Sequence, residues 1–233
     1  MAFSDNKSHQ SPISSIIASL NSNRRILLIS LILLIPLTNY LQEIFSTITG
    51  TSNTKDPYQL NLPLFKAVKA NELNVVKTLL QSTIYDPNAE DPEGITPLIE
   101  ATLLGNYEMV SYLISKGAKA QPSPGFRHTA LRAACLTANP QLITYLLQNG
   151  ADPNAKSDGD RTPLMGACFL RPEYDKLPNS GELSLKAVQS MLDDDRTDPL
   201  IANSFGESAL DLCKQRGYLE SVAYLEEKIK SKQ

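Results

Sequence analysis

Residues 150–164 read Gly-Ala-Asp-Pro-Asn-Ala-Lys-Ser-Asp-Gly-Asp-Arg-Thr-Pro-Leu. Gly150-Ala151 closes one helix, and Asp152-Pro153-Asn154 makes a polar turn of residues that favour tight backbone reversals. Thr162 then opens the next helix by accepting from its free N–H groups. Pro163 in the first turn costs nothing there, because its missing N–H would be unbonded anyway.

The same opening recurs along the chain. Leu62-Pro63-Leu64, Thr96-Pro97-Leu98, Thr129-Ala130-Leu131, Thr162-Pro163-Leu164 and Ser208-Ala209-Leu210 follow one another at spacings of 34, 33, 33 and 46 residues. Five positions after each start stands a small residue (Ala67, Ala101, Ala134, Ala167, Cys213), which lets neighbouring helices approach closely. Nine positions after it comes a turn residue: Asn71, Gly105, Ala138, Arg171 and Gly217. A second apolar helix follows, with Val75, Val76, Leu79 and Leu80 in the first copy and Leu142, Ile143, Leu146 and Leu147 in the third. Asp86-Pro87-Asn88, Gly117-Ala118-Lys119 and Asp198-Pro199 sit in the connector register of Asp152-Pro153. A fixed period of this length is the mark of a solenoid.

These residues resemble the ankyrin-repeat family. Thr162-Pro163-Leu164, Gly150-Ala151-Asp152-Pro153-Asn154, and Thr96-Pro97-Leu98 with Ala101 and Gly105-Asn106 carry the resemblance, which covers about residues 58–230. It implies an all-α fold of about five helix–turn–helix repeats with β-turn connectors, near 61–94, 95–127, 128–160, 161–206 and 207–230. Each copy buries its apolar face against neighbours, so a terminal copy needs a polar outer side. Glu220, Glu226, Glu227, Lys228, Lys230 and Lys232 supply one, and Asp56-Pro57-Tyr58 leads into the first copy. Two departures stand out. The family's frequent His after the triplet is replaced by Phe65, Ile99, Arg132, Met165 and Asp211, and the fourth copy carries about 13 extra residues within Pro172–Leu185.

The family's binding is to proteins, through the turn tips and the concave face of the first helices. The resemblance therefore implies contact residues at the tips: Glu90, Asp91 and Glu93; Ser123, Phe126 and Arg127; Lys156, Asp158, Asp160 and Arg161; Ser204, Phe205 and Glu207. Phe126, Arg127 and Phe205 are of the types that carry interface energy. Each has the alternative of folding back on its own repeat. The Pro172–Leu185 insertion, with Tyr174, is either a functional loop or a tolerated one.

The first sixty residues are different material. Residues 1–25 are rich in Ser and Asn, the composition of a disordered tail. Ile26–Leu37 is apolar but for Ser30 and Pro36, and a weaker stretch runs on to Ile48. As a helix, residues 26–48 would measure about 34 Å, enough to cross a bilayer core. Three readings follow: a single-pass membrane anchor, a cleaved targeting leader, or a helix buried on the downstream domain. The last fits least, because the run is apolar all round rather than striped. Residues 49–60 read as a linker. Lys7, Arg24 and Arg25 precede the segment and Lys55 follows it, so positive-inside counting puts the repeats across the membrane. The family's usual setting is cytosolic, and that is the expectation retained for the repeats, with an organelle lumen or secretion after leader cleavage as the alternative.

Net charge of −3 gives no general pull toward nucleic acid. Cys135, Cys168 and Cys213 are odd in number and widely spaced, so they read as packing residues rather than a disulfide framework or zinc site. His9 and His128 form no triad, Asp193-Asp194-Asp195 reads as a solvated charge run, and no phosphate loop or HExxH appears. No enzyme activity, cofactor, metal or small-molecule substrate is expected. The function expected is a membrane-anchored scaffold, adaptor or inhibitor with one protein partner. The alternative is a soluble regulatory or assembly subunit whose leader is removed.

Overall fold

Helices come in antiparallel pairs wherever the opening motif recurs. The computed structural model describes residues 57–121 and 128–231, all within the unit formed by residues 54–233. The pairs are α1 (Pro57–Lys69) with α2 (Leu73–Leu79), α3 (Pro97–Leu103) with α4 (Tyr107–Ser115), and α5 (Ala130–Leu136) with α6 (Pro140–Gln148). The fourth group is α7 (Pro163–Ala167), α8 (Pro172–Asp175) and α9 (Ser180–Leu192), and the fifth is α10 (Ala209–Arg216) with α11 (Leu219–Ser231). First helices pack in series, α1 on α3, α3 on α5, α5 on α7 and α7 on α10. Second helices form the adjoining layer, with α2 on α4, α6 on α9 and α9 on α11. Among the described residues the only β-pairing is two isolated bridges at the tips, Ser157 with Arg161 and Ala202 with Ser208.

The caps act as the sequence demands. Hydroxyls of Thr96, Thr129, Thr162 and Ser208 accept from the N–H three residues on, and the Asp211 carboxylate accepts in return from the Ser208 N–H at 2.9 Å. Asn106 and Asn139 cap α4 and α6 in the same way. Each cap satisfies a helix N–H that would otherwise be unbonded, worth about 1 kcal/mol. The leucine of the first four motifs (Leu64, Leu98, Leu131, Leu164) is buried to 1% exposure or less. First helices end in left-handed residues at Asn71, Gly105, Ala138 and Gly217. Ala138 does so at φ 47° with a Cβ in place, a strained conformation costing roughly 1–2 kcal/mol.

Asparagines tie α1 to the first connector and then each of two connectors to the next. Asn61 Nδ2 donates to the Pro57 carbonyl and its Oδ1 accepts from the Asp86 N–H, both at 2.8 Å. Asn88 does the same for the next connector, donating to the Gly117 carbonyl and accepting from the Lys119 N–H. Asn154 reaches across the inserted copy, donating to the Arg196 carbonyl at 2.7 Å and accepting from the Asp198 N–H at 2.8 Å.

Four expectations need correction. Residues 57–60, expected at the end of a linker, are the first turn of α1, because Pro57 is pre-set for a helix start. Leu62-Pro63-Leu64 therefore lies inside a helix and does not open one. Arg171, expected as the turn residue that follows the first helix, stands instead directly before α8 at φ −59° and ψ 149°, the extended geometry favoured before a proline. The cysteine reading also changes. Cys168, next to the Ala167 slot, and Cys213, in the fifth slot, form a disulfide with Cα atoms 4.6 Å apart, because the first helices of the fourth and fifth copies pack against each other. Cys135 stays a buried free thiol whose ionisation burial pushes well up.

The insertion builds α8, and α9 with 13 residues is about one turn longer than α4 and α6 with 9 each. Asp175 of α8 accepts from the Tyr218 hydroxyl and, at 2.9 Å, from Arg216 Nη1, which binds the insertion to the fifth copy. Ser184 and Ser221, both fully buried, share a 3.0 Å hydrogen bond where α9 meets α11. No helix among the described residues is long and apolar enough to cross a membrane. The segment 26–48, with the tail before it, lies outside the described residues.

Candidate partner-binding face

Turn chemistry decides which tip residues are free. The Asp91 carboxylate accepts from the N–H groups of Glu93 at 3.0 Å and Ile95 at 2.8 Å, and the residue is 6% exposed. Asp91 thus holds its own turn through Oδ1, which accepts both bonds, and at 6% exposure it offers a partner less surface than its neighbours do. Glu90 and Glu93 beside it are exposed. Phe126, Arg127 and Ser123 lie outside the described residues.

The next two described tips are joined. Gly159 and Asp160 take left-handed conformations at φ 75° and 57°, which turns the Gly159 carbonyl toward the following tip. There it accepts from the Ser204 N–H at 3.0 Å and the Ser204 hydroxyl at 3.1 Å. Lys156 and Asp160 form a loose surface ion pair at 3.9 Å, Asp158 is exposed, and neither charge is tied down strongly. Arg161 is exposed while its carbonyl accepts from the Ser157 N–H and hydroxyl. Phe205 stands 74% exposed on the adjoining tip.

Arg161 and Phe205 share one hollow with Arg132 of α5, Phe169 after α7, Glu207 and Gln215. It lies between the tips and the first helices of copies three to five and encloses about 140 Å³. That volume takes a side chain, well short of the usual room for a drug-sized ligand. Gly166 suits this approach: a Cβ there would stand 3.2 Å from the Cys135 Cβ, 3.3 Å from the Arg132 carbonyl and 3.4 Å from the Arg132 Cγ, so a larger residue would need those neighbours to shift by a few tenths of an ångström. Phe169 is 47% exposed and carries the Arg216 guanidinium 4.0 Å from its ring centre.

The charges of the hollow are unevenly satisfied. Glu207 accepts from Gln215 Nε2 at 2.8 Å and Asn203 Nδ2 at 3.0 Å, and these bonds hold its carboxyl below the usual range. Arg132 Nε is buried and finds no hydrogen-bond acceptor among the described residues. No salt bridge among the described residues joins Arg132 or Arg161 to a carboxylate. Burial first, and then the nearby Arg161 charge, push the Arg132 guanidinium below its ordinary pKa. An unbonded buried donor beside a like charge is an unfavourable arrangement that an anion relieves.

Of the expected contact residues, then, the structure brings Arg161, Phe205 and Glu207 together. Glu90 and Glu93 belong to the tip between the first and second copies. Tyr174 is half-buried in α8 and does not line the hollow. Sequence reasoning missed Arg132 and Phe169 as surface residues. Arg132 was noted only as a departure from histidine, yet a long cation on a first helix was itself the signal. Among the described residues no cluster of His, Cys, Asp or Glu is placed to hold a metal ion. Asp194 of the acidic run is held by Arg196 Nε at 2.9 Å.

A family model described as ankyrin repeats (3 copies) matches residues 37–123, and one described as ankyrin repeat matches residues 126–158. Together they span slightly more than half of the 233 residues. The chain belongs to the ankyrin-repeat family. The first match begins upstream of the copy near 61–94, within the apolar segment 26–48. The fourth and fifth copies lie beyond both matches, yet they repeat the cap and the helix pair. No curated protein matches the chain.

Proposed function

We propose that the chain is a protein-interaction module, a scaffold, adaptor or inhibitor, that binds one partner across the tips and first helices of copies three to five. The observation that carries this is the hollow itself, where two exposed phenylalanines stand beside two arginines that form no salt bridge among the described residues. Exposed aromatic and arginine side chains around a small concavity are the composition of an interface centre. Cross-linking the intact chain in its native membranes or extract, followed by peptide mapping, tests it. Partner cross-links should fall on residues 156–161 and 203–216. Cross-links confined to the second-helix face of α4 and α6 would overturn the reading.

Residues 26–48 hold the module at a membrane, in this reading, on the strength of their length and apolar run. Alkaline extraction of membranes tests attachment, which release of the full-length chain would exclude. The rival reading is a soluble subunit freed by leader cleavage, and sequencing the mature N-terminus separates the two. The Cys168–Cys213 disulfide bears on the compartment: such bonds persist in oxidising spaces, and the basic residues before the segment point the same way. We infer from both that the repeats face away from the cytosol. Protease protection of the repeats in sealed vesicles is the expected result, and digestion of the repeats without detergent would reverse the assignment.

A further inference from the structure

We propose that the hollow between Arg132, Arg161 and Phe205 receives an acidic residue of the partner protein, followed directly by a large apolar one. This rests on the interaction-module reading and names the chemistry of its partner. Three observations converge on it. Arg132 Nε is a buried donor without an acceptor among the described residues, and Arg161 lines the same space. The one carboxylate among the described lining residues, Glu207, already accepts from Asn203 and Gln215. The opening is walled by Phe205 and Phe169, at 74% and 47% exposure, so whatever follows the anion meets aromatic surface.

A carboxylate suits the arginines because a guanidinium edge offers two parallel N–H groups matched to its two oxygens. The space of about 140 Å³ accepts an Asp or Glu side chain and excludes a bulky ligand. Phe205 then covers the next residue of an extended segment, which removes water from the ion pair and strengthens it. The Gly159–Ser204 contacts keep the Arg161 and Phe205 tips in register, so the cation and the ring are presented as one unit.

A random ten-residue peptide library displayed against the immobilised full chain tests this. Enriched sequences should share an Asp or Glu preceding an aromatic or aliphatic residue. The best synthetic peptide should bind at least tenfold more weakly to Arg161→Gln and to Arg132→Gln, and likewise when its acid is replaced by the amide. Phe205→Ala should cost a similar factor, while Lys186→Gln, exposed on α9 and outside the hollow, should stay within twofold. Arg161 and Phe205 are exposed, so their variants fold, which keeps the result readable if Arg132→Gln does not. Enrichment without an acid, no enrichment at all, or Arg161→Gln binding within twofold of wild type overturns the acidic partner. The broader interaction reading stands or falls separately, on the cross-linking map.

Discussion

Cys168 at the end of α7 and Cys213 in the middle of α10 are joined through their sulfurs with Cα atoms 4.6 Å apart, although 45 residues separate them. The bond spans the entire insertion. It fastens the fifth copy to the fourth at the point where α8 and the lengthened α9 interrupt the regular period. A repeat array is held together only by contacts between neighbours, so its irregular junction is the natural place for a covalent one. In the chain-entropy account, closing a loop of this length stabilises by about 4 kcal/mol. Reduction, or a paired Cys168→Ala and Cys213→Ala substitution, should lower the urea midpoint accordingly. Superimposable unfolding curves with and without reductant would show that the bond adds nothing.

Asn154 makes the other long link across the inserted copy, bonding Arg196 and Asp198 from the preceding connector. Asn154→Ala leaves a carbonyl and an N–H without partners, so a loss of roughly 1–3 kcal/mol is expected. Asn154→Asp keeps the acceptor and loses the donor, and should fall between. Equal stability of all three chains in urea would remove the link from the account of the fold.

Asp91 and its neighbours separate turn-making from surface. Asp91→Ala strips the acceptor from two backbone N–H groups and should cost about 2 kcal/mol. Glu90→Ala and Glu93→Ala touch exposed groups and should stay within about 0.5 kcal/mol. Thermal unfolding of the three variants decides. Equal shifts would mean that the turn does not depend on the aspartate.

Tyr218 makes the stability of the insertion contact pH-dependent. Burial, and then the Asp175 carboxylate that accepts its hydroxyl, push the phenol above its ordinary value. As pH rises, the unfolded chain therefore releases this proton first, beginning near pH 10, while the folded chain keeps it. The contribution is complete below about pH 10 and is lost as pH climbs toward the raised folded value. Tyr218→Phe should be less stable at neutral pH yet decline less steeply on the alkaline side. Parallel alkaline declines for the two chains would assign the slope to other groups.

Much of the fold was legible in the sequence. Thr96, Thr129, Thr162 and Ser208 announced helix starts, and Asn71, Gly105 and Gly217 announced ends. Caps and turns satisfy backbone groups within three or four residues, so residue type and spacing suffice to find them. The motif failed where a local rule had a competitor. Leu62-Pro63-Leu64 has the look of an opening, but Pro57 upstream is the better start and α1 runs through Pro63. Arg171 sits in the turn register, but Pro172 after it pushes the backbone toward extended geometry. The site was half legible: Arg161 and Phe205 were singled out, whereas Arg132 and Phe169 were not, since nothing local says that copies three to five meet around them.

The sequence alone determined the repeat unit, its all-helical class, and the polarity of each helix pair, because those follow from hydrogen bonds and apolar periodicity inside one copy. Only the tertiary structure decided which residues face each other between copies. It paired Cys168 with Cys213, bound Asp175 of the insertion to Arg216 and Tyr218, and set two arginines, without salt bridges among the described residues, beside two exposed rings. These relations join residues about 30 to 45 positions apart. Their geometry depends on how one copy rotates and slides on the next, and that is settled by the packing of small residues such as Gly166 at the shared surface. No short window of sequence contains both sides of such a contact.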